Sequence, residues 1–218
     1  MLVLASNSPR RRELLSLGGW DFQVRPADVD ESRLPGEDPS AYVLRLAASK
    51  AGACARTCLP GETVVAADTT VTLEGDILGK PVDAHEAVRM LARLRGRTHQ
   101  VCTGLAVLDM GTGAQVTDLC VTEVPMRAYS DDEMQAYAHS GDPLDKAGAY
   151  AIQHTGFHPV HALAGCYASV MGLPLCHLAR SLRRVGITPP KDIPAGCQAS
   201  LAYACPISSR VLNGEPIG

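Results

Sequence analysis

Charged side chains are concentrated in this chain where elements should begin or end. Arg10, Arg11 and Arg12 follow Ser8-Pro9, just after a short apolar run from Leu2 to Ala5. Ser8 suits a helix N-cap and Pro9 the first helical position. Arg10 and Arg11 then fall in a first turn, where free N–H groups and the helix dipole already make the field positive. An anion bound at that helix start relieves the field; a solvated basic turn is the plain alternative. Asp68 closes the apolar run Thr63 to Ala67, where a carboxylate must be paired, hydrogen-bonded or metal-bound. Glu31 lies in an acidic cluster with Asp28 and Asp30, which by itself reads as a solvated loop. Lys50 sits on a small, apolar helical segment, where a snorkelling lysine is the common case. Lys80 precedes Pro81, so its backbone is expected to be extended and its side chain presented from a loop. Asp145 and Lys146 suit charge pairing, and the small residues that follow let backbone approach a ligand closely. Gln153 offers both a donor and an acceptor, which suits reading a base edge.

Together these residues are equipment for a polyphosphate handled with a divalent cation, Mg²⁺ or Mn²⁺. Carboxylates hold the cation, the cation bridges phosphate oxygens, and lysines and arginines neutralise the rest. The sequence holds no G-x-x-x-x-G-K-[ST] stretch, which excludes a P-loop, and no G-x-G-x-x-G. It holds no G-x-S-x-G either, so there is no local case for an acyl hydrolase.

The elements that must position these groups alternate. An N-terminal strand leads into the Ser8-capped helix, which Gly18-Gly19 stops. A strand is expected from Trp20 to Val24, a helix from Asp38-Pro39 to about Cys58, and a short strand from Thr63 to Ala67 that delivers Asp68. A hairpin turns at Glu74-Gly75-Asp76. Asp83 with Glu86 has capping-box spacing and opens a helix to Arg95. Two long alternating strands, about Thr98 to Leu108 and Val116 to Met126, flank Gly111-Thr112-Gly113. Ser130 with Glu133 opens another helix, a strand is expected near Tyr167, and a helix from Pro174 to Arg184. The central hairpin is antiparallel, so the class is α/β with a mixed sheet. Residues 1–188 form one domain in this reading. Residues 189–218 form a tail with little periodicity, expected to be extended or disordered, or a strap held through Ile193, Leu201 and Tyr203.

The chain has 218 residues and a net charge of −3, which argues against a general nucleic-acid-binding surface. No apolar run approaches a membrane span, and the basic-then-apolar order of a signal peptide is missing, so a cytoplasmic location is expected. The eight cysteines form no C-x-x-C pair. Most read as small buried hydrophobes, with a structural zinc site as the sharper alternative. Cys54 and Cys58, four apart, should share a helix face.

The stretches Leu4-Ala5-Ser6-Asn7-Ser8-Pro9-Arg10-Arg11, Asp30-Glu31, Ala67-Asp68-Thr69, Gly79-Lys80-Pro81, Asp145-Lys146-Ala147-Gly148-Ala149-Tyr150-Ala151-Ile152-Gln153 and Gly172-Leu173-Pro174-Leu175 follow one another along the chain. In these stretches and their order, up to about Ile187, the chain resembles the Maf family of nucleoside triphosphate pyrophosphatases. It implies an elongated mixed sheet with flanking helices and a cleft between two lobes. It implies hydrolysis of a nucleoside triphosphate to the monophosphate and pyrophosphate with a divalent metal. Asp68 then matches the acidic catalytic residue, a proton acceptor, with Glu31 and Lys80 beside it, and Glu31 and Asp68 match the metal positions. Ser6, Arg10, Arg11, Glu31, Lys50 and Lys80 match phosphate- and metal-handling positions. Arg11, Thr69 and Gln153 mark the branch acting on dTTP and UTP; a sister branch acting on 7-methyl-GTP carries Glu where Gln153 stands. Ala151 and His154 depart from the glycines of that branch, and a ring at position 154 could narrow the base pocket. The expected partners are the nucleotide and a second copy of the chain, with no nucleic acid and no membrane. The rival readings are a nucleotide-binding regulator of cell division or septum formation with little catalysis, and the 7-methyl-GTP activity.

Overall fold

A computed structural model describes residues 1–218. Six strands form one mixed sheet: β1 (Leu2–Leu4), β2 (Phe22–Val24), β3 (Thr63–Leu73), β4 (Asp76–Leu78), β5 (Thr98–Asp109) and β6 (Gln115–Pro125). Their order is β2-β1-β3-β5-β6, with β4 also on β3. β1 runs parallel to both neighbours, whereas β3, β4, β5 and β6 pair antiparallel. The expected mixed α/β sheet is therefore present.

The helices are α1 (Pro9–Ser16), α2 (Pro39–Ala55), α3 (Ala84–Leu94), α4 (Asp131–His139), α5 (Tyr167–Met171), α6 (Leu175–Arg183), α7 (Ile193–Leu201) and α8 (Ser208–Leu212). Local chemistry sets their starts. Ser8 caps α1 with Pro9 at its first position. Asp38 accepts from the N–H groups of Ser40 and Ala41 to open α2. Ser130 and Glu133 close a reciprocal capping box on α4.

Period-2 alternation along β3 divides the core. Val65 and Ala67 pack with α1, α5, α6, α7 and α8 at one end of the sheet. Val71 and Leu73, on the same face, pack with α3, α4, Tyr150 and Phe157 at the other. Val64 and Ala66 face the opposite way, onto α2. The long strands thus carry two cores on one face, and Thr69 lies between them.

Three expectations differ from the structure. β3 does not stop at Ala67 but runs through Asp68 to Leu73, since Thr69-Thr70-Val71-Thr72 continue its β-branched run. The segment at Tyr167 is the short helix α5 rather than a strand, closed by Gly172 at φ 109°. The tail expected to be extended or disordered forms α7 and α8. Ile193 and Val211 join the core, and the Tyr203 hydroxyl donates to the carbonyls of Leu163 and Gly165. Asp192 caps α7 through the Ala195 N–H, and Arg180 donates to the Val211 carbonyl in α8 and to the Glu215 carbonyl just after it. Sparse apolar residues suffice here because the tail lies on an existing core.

Candidate functional site

The site arises where strands run out. β1 pairs with β3 only as far as Val65, and β4 takes up the same edge only from Val71. Between them β3 has no strand neighbour on that side, and a cavity of about 440 Å³ opens there. The loop after β1, the start of α1, the exit of β2 and the segment around Asp145 to Gln153 wall it.

Asp68 sits in this gap on the α2 face of β3, opposite Gly104 of β5. A Cβ on Gly104 would lie 2.6 Å from the Val43 backbone, so glycine lets α2 press against the sheet. Two turns on, Lys50 reaches Asp68. Its ammonium donates to Asp68 Oδ1 at 2.6 Å and lies 2.6 Å from Glu31 Oε1. Lys50 therefore bridges two carboxylates and does not snorkel, and Glu31 is recruited out of its acidic loop although its side chain is 58% exposed. Asp68 is 7% exposed. Burial pushes its carboxyl up from the ordinary aspartate value; Lys50 and then Arg11 oppose the rise, and Glu31 adds to it.

The opposite wall is cationic. Arg10 lines the cavity and reaches Asp145 at 3.5 Å across it. Arg11 donates Nε–H to the Gly172 carbonyl at 2.9 Å, Nη1–H to Ser6 Oγ at 3.3 Å and Nη2–H to Thr69 Oγ1 at 3.2 Å. Burial lowers its pKa, with Asp68 the main opposing influence. Lys80 is exposed and lines the cavity from the loop after β4. Arg12 is exposed and is not part of the lining. Lys146 is drawn into a local cluster, 2.6 Å from Asp145 Oδ1 and 3.1 Å from Asp142 Oδ1.

Gln153 is exposed on the cavity wall. His154 does not narrow it. The His154 ring turns onto Tyr137 at 4.7 Å between centroids, and its Nδ1 accepts from the Phe157 N–H. Ser6, Arg10, Arg11, Glu31, Lys50, Thr69, Lys80 and Gln153 thus line one cavity, with Asp68 just behind the lining and bonded to Lys50, whereas Arg12, Asp28 and Asp30 lie outside it. Thr103 and Gly104 were not foreseen. They sit in β5 beneath Thr69 and Asp68, and only the pairing register brings them there.

Glu31 and Asp68 already converge on one cation, the Lys50 ammonium, so their oxygens suit a hard divalent ion. No group of three or more His, Cys, Asp or Glu side chains is placed to hold a metal. Two carboxylates fit Mg²⁺, which keeps waters and takes its remaining ligands from substrate phosphates. The cysteines are free thiols, five of them buried; α2 ends at Ala55, so Cys58 lies beyond the helix and not on a shared helix face, although its sulfur is 4.0 Å from that of Cys54.

The chain is similar to proteins described as dTTP/UTP pyrophosphatases. One from Anaeromyxobacter dehalogenans (strain 2CP-C) is 49% identical over 88% of this chain and 98% of its own length. One from Geobacter sulfurreducens is 47% identical over 85% and 96%. Among solved structures, the Staphylococcus aureus Ham1 protein covers 73% of this chain and 79% of its own, at a TM-score of 0.47 and 15% identity. The family described as Maf-like protein matches residues 1–185. The cationic wall, the bridged carboxylates and the segment from Asp145 to Gln153 all lie within that match, and the chain belongs to the Maf family.

Proposed function

We propose that this protein hydrolyses dTTP and UTP to the monophosphate and pyrophosphate, clearing these triphosphates from the nucleotide pool. The observation that carries the reading is the Glu31–Lys50–Asp68 bridge facing Arg10, Arg11 and Lys80 across one cavity. That arrangement supplies negative oxygens on one side and cations for a triphosphate on the other. Relatives covering nearly their whole length at 45–49% identity carry the dTTP/UTP description.

In this reading Asp68 accepts the proton of the attacking water. Its raised pKa brings it closer to a useful general base, and Lys50 keeps it ionised. The water oxygen forms a bond to the α-phosphorus, and the bond to the β-phosphate bridging oxygen breaks, releasing pyrophosphate. Arg10, Arg11 and Lys80 hold the phosphates, with Ser6 fixed beside Arg11. A divalent ion held by Glu31 and Asp68 would neutralise phosphate charge when bound. Gln153 matches two adjacent groups on the acceptor–donor–acceptor edge of uracil or thymine, and Thr69 steadies Arg11. A homodimer working in the cytoplasm completes the reading. No helix is long and apolar enough to cross a membrane.

The test is pyrophosphate release from UTP, dTTP, GTP, ATP and 7-methyl-GTP with Mg²⁺ or Mn²⁺, together with light scattering for the oligomer. UTP and dTTP should lead. Asp68→Asn should lower kcat by about 10²–10⁴-fold with the fold retained. A preference for 7-methyl-GTP, or wild-type turnover by Asp68→Asn, would overturn the reading.

A further inference from the structure

Three acceptors hold the Arg11 guanidinium: the Gly172 carbonyl, Ser6 Oγ and Thr69 Oγ1. A guanidinium has five N–H groups, so two remain, one on each Nη. Arg11 lines the cavity, and these two are the donors it has left for a ligand. Thr69 can only accept from the guanidinium, which has no acceptor, so their aim depends on where the Thr69 hydroxyl turns its own proton and so its lone pairs.

The structure fixes that polarity. Thr69 Oγ1 lies 2.9 Å from Thr103 Oγ1, and Thr103 donates to the Ser169 carbonyl at 2.9 Å. Each hydroxyl has one proton. With the Thr103 proton committed to Ser169, Thr69 is the donor between the two threonines, and its lone pairs are turned to Arg11. The direction runs Arg11 to Thr69 to Thr103 to the Ser169 carbonyl. Thr103 is 0% exposed, so water cannot replace its hydroxyl. The relay ends on α5, and Gly172, which closes α5, accepts from Arg11 Nε. A Cβ at Gly172 would lie 3.3 Å from that Nε.

We propose that Thr103 is a positioning residue for nucleotide binding: its buried hydroxyl accepts the Thr69 proton, turns the Thr69 lone pairs to Arg11 and thereby holds the two spare N–H groups of Arg11 toward the bound nucleotide. The proposal rests on the triphosphate reading of the cavity. Thr103 touches no substrate and acts only through Thr69 and Arg11.

Thr103→Val keeps the shape and removes both hydrogen bonds; Thr103→Ser keeps the hydroxyl. With UTP and Mg²⁺, Thr103→Val should raise KM about tenfold, the effect of losing one hydrogen bond's alignment, with kcat within about twofold of wild type. Thr103→Ser should restore KM to within about twofold. In an Arg11→Lys background, Thr103→Val should add nothing, because the relay then has no fork to aim. An unchanged KM in Thr103→Val, no rescue by Ser, or full additivity with Arg11→Lys overturns the proposal. Should Thr103→Val fail to fold, Thr103→Ala is read in the same way. If the wild-type protein hydrolyses no triphosphate, the functional reading falls by itself. The relay is then decided on the ¹⁵N–¹H signals of the Arg11 guanidinium. Hindered rotation of Nη2 should be lost in Thr103→Val and kept in Thr103→Ser; unchanged signals in Thr103→Val overturn it.

Discussion

Lys50→Met removes the ammonium that joins Asp68 to Glu31 and leaves the aliphatic stem packed. The two contacts are unequal. The Glu31 side chain is 58% exposed, so its contact with Lys50 contributes about 0–1 kcal/mol. The Asp68 and Lys50 side chains are 10% and 12% exposed, and stripping one partner from a buried pair costs about 3–5 kcal/mol. The buried contact therefore dominates, and the loss should depend on pH. Burial already raises the Asp68 pKa in the wild-type protein, and Lys50 is the foremost influence opposing it. Without Lys50 the folded-state pKa rises further above the unfolded value of about 3.9. A carboxyl raised in the folded state favours folding while protonated and opposes it once ionised. Stability of the variant should thus be lost as pH climbs from the unfolded toward the folded pKa. Urea denaturation from pH 5 to pH 8.5 reads this. The deficit against wild type should approach about 3–5 kcal/mol at the alkaline end and shrink toward the acid end. Adding Asp68→Asn should recover most of it, since no buried charge then remains unpaired. A deficit below about 1 kcal/mol at pH 8.5, the level of an exposed pair, would refute the dominance of the buried contact. So would a deficit of equal size at every pH.

Gln153→Glu should lower kcat/KM for UTP by about 10–100-fold, as a matched polar pair is lost, while pyrophosphate-forming capacity toward other triphosphates survives in the same nucleotide panel. Gly104→Ala should destabilise the fold by about 1–3 kcal/mol in urea melts, because the new methyl meets the Val43 backbone and forces α2 outward. It should also lower kcat by moving Lys50, and unchanged stability would show that α2 yields freely. Truncation after Thr188 should lower the melting temperature substantially, since Ile193 and Val211 each stabilise by about 1.5–3 kcal/mol through burial. A truncated chain that melts with the full one would return the tail to an appendage.

The sequence made legible the parts whose physics is local. The Ser8 and Asp38 caps, the Ser130–Glu133 box and the Gly111–Gly113 turn are decided by residues within a few positions of one another, and each lies where the pattern placed it. In sequence Asp68 reads as a strand end because the apolar run stops at Ala67, and a carboxylate there is costly unless it is paired. Its cost is offset by Lys50, eighteen positions away in sequence, and no local pattern reports that bond. Glu31 and Lys50 had bland readings for the same reason, and only the packing of α2 over Gly104 joins them. The tail failed on a related ground. Periodicity measures whether a segment brings its own apolar face, whereas α7 and α8 need only place Ile193 and Val211 on a core that α6 and β6 already provide.

The site shows how a gap in pairing becomes a functional surface. A strand edge left open normally invites another strand. Here the β3 edge away from β5 has no strand beside it between Val65 and Val71, and charged side chains from α1, α2 and the Asp145 segment converge on the space. Alternation along β3 then separates two tasks one residue apart. Asp68 points to α2 and its ammonium, and Thr69 points the other way to Arg11 and Thr103. A one-residue slip of β3 would exchange these faces, putting a carboxylate against Thr103 and a hydroxyl against Lys50. The ten-residue register with β5, from Thr63 to Thr72, prevents that slip along its whole length. The long antiparallel partner β5 is thus part of what keeps the Asp68–Lys50 pair and the Thr69–Arg11 contact on opposite faces of one strand.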